Sequence, residues 1–526
     1  NTRYSPLDQI TAENFNQLEL AWRFNTDNFG PVRERAFQST PLMVDGVVYT
    51  TAGSRRAAVA LDAKTGEILW LHRLDEGERG AGAPRRLSGR GLAYRDDGGT
   101  GQIFYVTPGY RLIGLDASTG NRLEGFGTDG IVDLKLELDQ EIDLVTGEIG
   151  LHATPIVVGN TIVVGAAHLP GGTPKSMENV KGFVRGFDVR TGARKWIFHT
   201  IPQSDEFGND TWLGDSWRYT GNTGVWGQIS IDPDLGMAYL PVEMPTNDYY
   251  GGHRHGDNLF SDSLVAVDLE TGERAWHFQI THHDVWDWDL PAAPILADIT
   301  IDGRPIKAVA LPTKQSWVFV FNRETGEPVW PIEEQPVDPS DIPGEVLAPT
   351  QPIPTKPPAF DQQGIGPDDL VDFTPELRER ALEILNRYRY GPSLYTPPSV
   401  ATADGTFGTL QVPASTGGAN WPGGSLDPET GIIYLYTYTQ VVSLGLINDP
   451  ERSDMDFIRG RTSEVTARDA ALVMNAIAGY DGRDPSSARA PAEDFTDSLN
   501  RGIEDVRIGI PDEYFYDIID PEVSEA

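Results

Sequence analysis

Not one of the 526 residues is cysteine, which excludes disulfides, thiolate zinc sites and the Cys-x-x-Cys-His attachment of covalent haem. Any metal must sit on oxygen or imidazole. Positive charge is scarce: 42 Lys and Arg stand against 78 Asp and Glu, and a net charge of −36 repels nucleic-acid phosphates and anionic membranes. Nucleic-acid binding is therefore not expected. The acidity serves solubility first, and docking to a basic partner second. No window holds the roughly 18 apolar residues that cross a bilayer. Asn1 opens without a start methionine or an apolar leader, so the expectation is a processed, exported protein, periplasmic or secreted.

What the sequence has in plenty is turn chemistry. The 56 glycines and 39 prolines, with 12 tryptophans and 18 tyrosines, describe many short strands joined by tight turns, and predict an all-β chain. The organising pattern is a turn followed by an aromatic: Leu61-Asp62-Ala63-Lys64-Thr65-Gly66 with Trp70, and Phe187-Asp188-Val189-Arg190-Thr191-Gly192 with Trp196. It returns as Val267 to Gly272 with Trp276, as Phe321 to Gly326 with Trp330, and as Leu115 to Gly120 with Glu124 in place of the tryptophan. Asp or Asn can cap such a turn, and Gly supplies the positive φ that a short hairpin needs.

The glycines of the copies lie 54, 72, 80 and 54 residues apart, so each unit holds about four short strands and loops of variable size. That is propeller-blade geometry, with each Trp docked between neighbouring blades. Inner strands precede the copies at Thr40 to Tyr49 and Thr154 to Thr161, and Leu20-Ala21-Trp22-Arg23-Phe24 reads as an outer strand completing another blade. The pattern predicts one domain over 1–526, with five blades in 25–330. A proline-rich connection follows over 331–395, with one helix from Thr374 as N-cap to about Arg389. A sixth blade is expected over 396–442, and an acidic, partly helical segment over 443–526.

The densest chemistry is in Thr281-His282-His283-Asp284-Val285-Trp286-Asp287-Trp288-Asp289-Leu290-Pro291. A carboxylate here can act as general base on an alcohol, and a second one two residues on can share a hard cation. Taken bare, the run also reads as a charged turn with two packed tryptophans. Lys314, Arg90, Trp226, Asn420 and Trp421 are ordinarily structural when taken singly. All five stand near strand starts, however, so a closed ring aims them at one central cavity.

With these residues in view the chain resembles the quinoprotein alcohol and glucose dehydrogenases. The likeness runs from Asn1 to about Tyr438, and is nearest the cysteine-free glucose dehydrogenase branch over His282 to Pro294, Leu296 to Ile299 and the Lys314 strand. The resemblance implies an eight-bladed β-propeller around pyrroloquinoline quinone, and oxidation of an alcohol, polyol or sugar hydroxyl. It implies Asp287 as the catalytic base and Lys314 as the cation on the quinone oxygens. It implies Trp226 as one stacking face, Arg90, Asn420 and Trp421 as cofactor contacts, and Gln38 and His152 as contacts of altered chemistry. Arg85 or Arg86, with Arg86 preferred, stands where relatives carry a disulfide.

For the family's cation, usually Ca2+, with a lanthanide or Mg2+ as alternatives, the resemblance implies Asp287 and Asp289 as ligands. Pro170 and Met244 stand at two further ligand positions, with Glu243 and Asn247 nearby. Electrons would pass to an external acceptor such as a cytochrome c. The family continues for about two more blades, so the expectation is that the sequence is a piece of a longer protein. The rival reading is a non-catalytic propeller scaffold, which has no need of Asp287 and Lys314 around a cavity.

Overall fold

The structure is a computed structural model describing residues 3–461 except 35, 88, 403 and 404. The described residues belong to one compact unit, 1–461, and the expected acidic helical segment past 461 lies outside the described residues. The first unit is built of antiparallel propeller blades. The first blade runs Leu42–Val44, Val47–Ala52, Ala57–Asp62 and Ile68–His72 in spatial order, and the second Ala93–Asp96, Gly101–Val106, Arg111–Asp116 and Ile131–Asp133. The third comprises Ile156–Val158, Thr161–Val164, Val184–Asp188 and Arg194–Phe198, and the fourth Ser230–Asp232, Met237–Pro241, Ser263–Asp268 and Arg274–Gln279. The fifth has three strands, Ile295–Ile301, Arg304–Pro312 and Val318–Asn322.

The core lies between blades rather than within any one of them. Tyr239, Leu264, Ala266 and Trp276 of the fourth blade pack on Val309, Leu311, Phe319 and Phe321 of the fifth, and similar clusters join the other neighbouring pairs. The repeated turns explain the seams. Asp62 Oδ1 accepts from the N–H groups of Lys64 and Thr65 at 2.9 and 2.8 Å, and Asp116, Asp188 and Asp268 do the same in their own turns. The turns at Asp116, Asp268 and Asn322 then seat the tryptophan of the preceding blade. Trp70 donates its indole N–H to the Ala117 carbonyl at 2.8 Å, Trp196 to Leu269 at 2.9 Å and Trp276 to Arg323 at 3.1 Å. A Cβ on Gly272 or Gly326 would fall 2.6 or 2.7 Å from the seated indole, so the turn needs Gly for contact as well as for φ. Burying an indole in this way contributes about 2–3 kcal/mol per seam.

Where Glu124 replaces the tryptophan, Val132 and Phe126 meet the Gly192 turn instead. Leu20 to Phe24 forms no strand, yet Trp22 docks on the Gly66 turn and donates to the Ala63 carbonyl at 3.1 Å. The expected strand at Trp330 is reduced to a bridge between Phe321 and Pro328, because Pro328 and Pro331 withhold ladder donors.

Two boundaries move. The connection contains a hairpin, Ile332–Pro336 with Thr350–Pro354, before the helix Pro375–Leu385, whose N-cap Thr374 Oγ1 accepts from Leu377 N–H at 3.2 Å. The expected sixth blade splits. Gly424–Asp427 and Ile432–Leu435 pair and pack on the fifth blade through Leu426, Ile433 and Leu435. Ser399–Val400 and Thr409–Gln411 instead flank Val442–Ile447, which also pairs with Ile458–Arg459.

This connectivity sorts the loops. In an antiparallel blade the segment entering the first strand and the loop after the second strand emerge at one end, and the Asp-to-Gly turns at the other. All the chemical candidates fall at the first end.

Candidate active site

Gln38, Arg90, His152, Trp226, Asp287 and Trp421 each lie in the segment entering the first strand of a successive sheet, from Leu42 round to Gly424. Lys314 follows Arg304–Pro312, the second strand of the fifth blade. The entering segments hydrogen-bond to one another: Thr40 N–H donates to the Arg90 carbonyl at 3.1 Å, and Arg90 N–H to the His152 carbonyl at 3.0 Å.

One linked set of side chains centres on Lys314, which is buried. Its ammonium donates to Asp287 Oδ1 at 2.6 Å and also pairs with Asp289 Oδ1. Asp289 Oδ2 accepts the Trp226 indole N–H, and Asp287 Oδ2 accepts the Tyr249 hydroxyl at 3.3 Å. Burial, together with the charges of Asp248 and Asp289, pushes the Asp287 carboxyl well above the ordinary carboxylate range, against the pull of Lys314. Asp248 is pushed up to about 7, first by burial, with Asp289 and Glu243 acting the same way. Asp287 also holds a left-handed backbone at φ 63°, and His283 one at 46°, strain of the kind that collects at functional turns. Gly417 lies directly on Lys314: a Cβ there would come 2.5 Å from its Cγ.

A second set surrounds Arg90. Its guanidinium lies 5.1 Å from the Trp226 ring centre and 4.8 Å from that of Trp421, and donates to Gln38 Oε1 and the Trp226 carbonyl, both at 3.0 Å. Burial and the positive charges of Arg85, Arg56 and Arg3 bring it down to about 9. The His152 ring lies 5.7 Å from that of Trp226, tilted by 33°, and its buried Nδ1 has no hydrogen-bond partner among the described residues. Gln38 and Trp421 line an open cavity of about 570 Å3 that Arg3 also borders.

The remaining candidates are placed differently. Asn420 spends its side chain on its own loop, donating to the Thr416 carbonyl at 2.6 Å and accepting from Trp421 N–H at 2.7 Å. Arg86 is half-buried, and among the described residues no hydrogen bond or ion pair joins it to the Arg90 group, whereas Arg85 donates to the His168 carbonyl at 2.9 Å. Glu243 is committed to His168 Nδ1 and Gly224 N–H, both at 2.9 Å, and Asn247 to the Phe457 carbonyl at 2.8 Å.

Sequence reasoning missed two residues of the site. Tyr249 sits in the loop after the second strand of the fourth blade, the place Lys314 has in the fifth, and that equivalence was its signal. Glu345, from the proline-rich connection, accepts from His283 Nε2 at 2.7 Å and Gly251 N–H at 2.5 Å, tying the Asp287 turn to the Tyr249 loop. No periodicity pointed to it.

The donor set suits a flat, polyanionic molecule: clustered guanidiniums, two indole faces and an unpartnered imidazole nitrogen. It suits a bound cation less completely. Asp287 and Asp289 offer carboxylate oxygen, but the Lys314 ammonium bridges them, and among the described residues no three His, Cys, Asp or Glu side chains gather in ligating geometry.

The family domain described as "PQQ: Glucose/ethanol/alcohol dehydrogenase, beta-propeller domain" matches residues 1–479. The glycerol dehydrogenase large subunit of Gluconobacter oxydans is 31% identical over 82% of this chain and 57% of its own length. The quinoprotein glucose dehydrogenase of Escherichia coli is 30% identical over 81% of this chain and 53% of its own. Among solved structures, a quinohemoprotein alcohol dehydrogenase from Pseudomonas putida HK5 superposes with a TM-score of 0.63 at 26% identity, covering 90% of this chain and 61% of that one. The chain thus spans little more than half the length of these two curated relatives.

Proposed function

Because this chain belongs to the family of pyrroloquinoline quinone-dependent dehydrogenases, we propose that it oxidises an alcohol, polyol or sugar hydroxyl to the carbonyl, or an aldose to its lactone. The observation that carries the reading is the Asp287–Lys314–Asp289 cluster, joined through the Trp226 indole to the Arg90 group. The quinone, when bound, supplies a two-electron acceptor for hydride from the carbinol carbon. Arg90, Gln38, His152, Trp226 and Trp421 would hold it, while Asn420 and Arg86 are cofactor contacts on the family resemblance alone.

The chain's own part is acid–base and electrostatic. Asp287 takes the hydroxyl proton on a carboxylate oxygen, and its raised proton affinity makes it a stronger base than an exposed aspartate. Lys314 keeps a fixed positive charge beside the reacting oxygens and restrains Asp287 at Oδ1. The buried walls keep bulk water from competing for the proton.

A hard cation on Asp287 and Asp289, Ca2+ first and a lanthanide or Mg2+ next, is part of the proposal, and no step above depends on it. So are an exported location, periplasmic or secreted, and an external acceptor such as a cytochrome c. The test is reconstitution with the quinone, with and without Ca2+, followed by dye reduction across alcohols, polyols and aldoses. Quinone-dependent turnover is expected; turnover indifferent to the quinone would sink the reading.

A further inference from the structure

The oxygens of Asp287 are held by two different partners. Lys314 Nζ donates to Oδ1 at 2.6 Å, and the Tyr249 hydroxyl donates to Oδ2 at 3.3 Å. Tyr249 is 2% exposed, so its hydroxyl belongs to the interior and not to a surface group reaching in by chance. Its loop is pinned. Tyr249 N–H donates to Asn247 Oδ1 at 3.1 Å, and the Asn247 amide donates in turn to the Phe457 carbonyl at 2.8 Å. The Arg459 guanidinium lies 5.4 Å from the Tyr249 ring centre, and Arg459 is anchored by its N–H to the Gly172 carbonyl at 2.8 Å and by strand pairing at Leu446. A cation over a phenol ring is attracted to its face, and its field makes the hydroxyl a better donor.

We propose that Tyr249 is a positioning residue for Asp287, fixing the rotation of its carboxylate so that the free lone pairs face the substrate hydroxyl. This rests on the reading of Asp287 as the base. An ionised carboxylate accepts about four hydrogen bonds, so one from Lys314 and one from Tyr249 leave room for the incoming proton. With Lys314 alone the group pivots about one contact. The 3.3 Å separation makes this the weaker of the two restraints, and resting-state contacts of this kind tighten when substrate binds.

The test uses the full chain loaded with quinone, comparing Tyr249→Phe and Asp287→Asn with the parent. Tyr249→Phe is expected to lower kcat about tenfold and leave KM within about twofold. Quinone content should be unchanged. If Asp287→Asn is inactive while Tyr249→Phe keeps the parent kcat, the positioning role is wrong and the base reading stands. If Asp287→Asn turns over normally, the base reading itself fails. Loss of quinone in Tyr249→Phe would assign the residue to cofactor binding and overturn the proposal.

Discussion

At the turn end of the blades, Asp62, Asp116, Asp188 and Asp268 fold their carboxylates onto the N–H groups of their own turns, and each is held below the ordinary carboxylate range. At the opposite end, Asp248 and Asp287 are half-buried among like charges and pushed above it. The same residue type on the same blades thus serves two ends. One is locally satisfied and repeats. The other depends on side chains from distant sequence, and its backbone is strained at Asp287. Loop length divides in the same way. The turn end spends two to five residues on most connections, while the site end carries the long ones, from Val164 to Val184 and from Pro241 to Ser263. Stability is written into the first end and chemistry into the second.

Three substitutions sharpen that division. Lys314→Met should act on both counts, because it leaves buried Asp289 and half-buried Asp287 without their cation. A loss of about 3–5 kcal/mol in denaturant unfolding is expected, with at least a hundredfold fall in kcat. A fully active Lys314→Met would dissolve the distinction between the ends. Trp276→Ala should cost about 3–5 kcal/mol by emptying a seam, yet leave kcat near the parent value below the melting temperature. A matching collapse of kcat in the folded variant would show that the seam also shapes the site.

Glu345→Gln is the subtlest. Burial pushes the Glu345 carboxyl up, but the hydrogen bond and charge of His283 and the Gly251 N–H outweigh it and hold the group below its ordinary 4.5. A depressed folded-state value stabilises above the unfolded value and is lost as pH falls through the folded one. The parent's melting temperature should therefore drop as pH falls below about 4.5, and Glu345→Gln should flatten that drop. An unchanged profile would remove the brace from the account.

Legibility from sequence follows the same line. The blades were readable because an Asp-capped turn, its glycine and the next tryptophan all lie within a dozen residues. Lys314 and the Asp287 run were readable from the resemblance and from their position near strand starts. Trp330 misled because prolines on either side deny it a ladder, a cost the aromatic spacing does not show. Tyr249 and Glu345 escaped because neither belongs to a period. Tyr249 reaches Asp287 from a loop pinned at Phe457, and Glu345 reaches His283 across the 62 residues that separate them.

The indole seats have an order that only synthesis reveals. Trp22 precedes its seat at Gly66, Trp70 its seat at Gly120, Trp196 its seat at Gly272 and Trp276 its seat at Gly326. A nascent chain leaving the ribosome therefore carries each of these four indoles uncovered until its seat has emerged. A pause between an indole and its seat leaves one apolar aromatic for a chaperone to meet at the tunnel mouth.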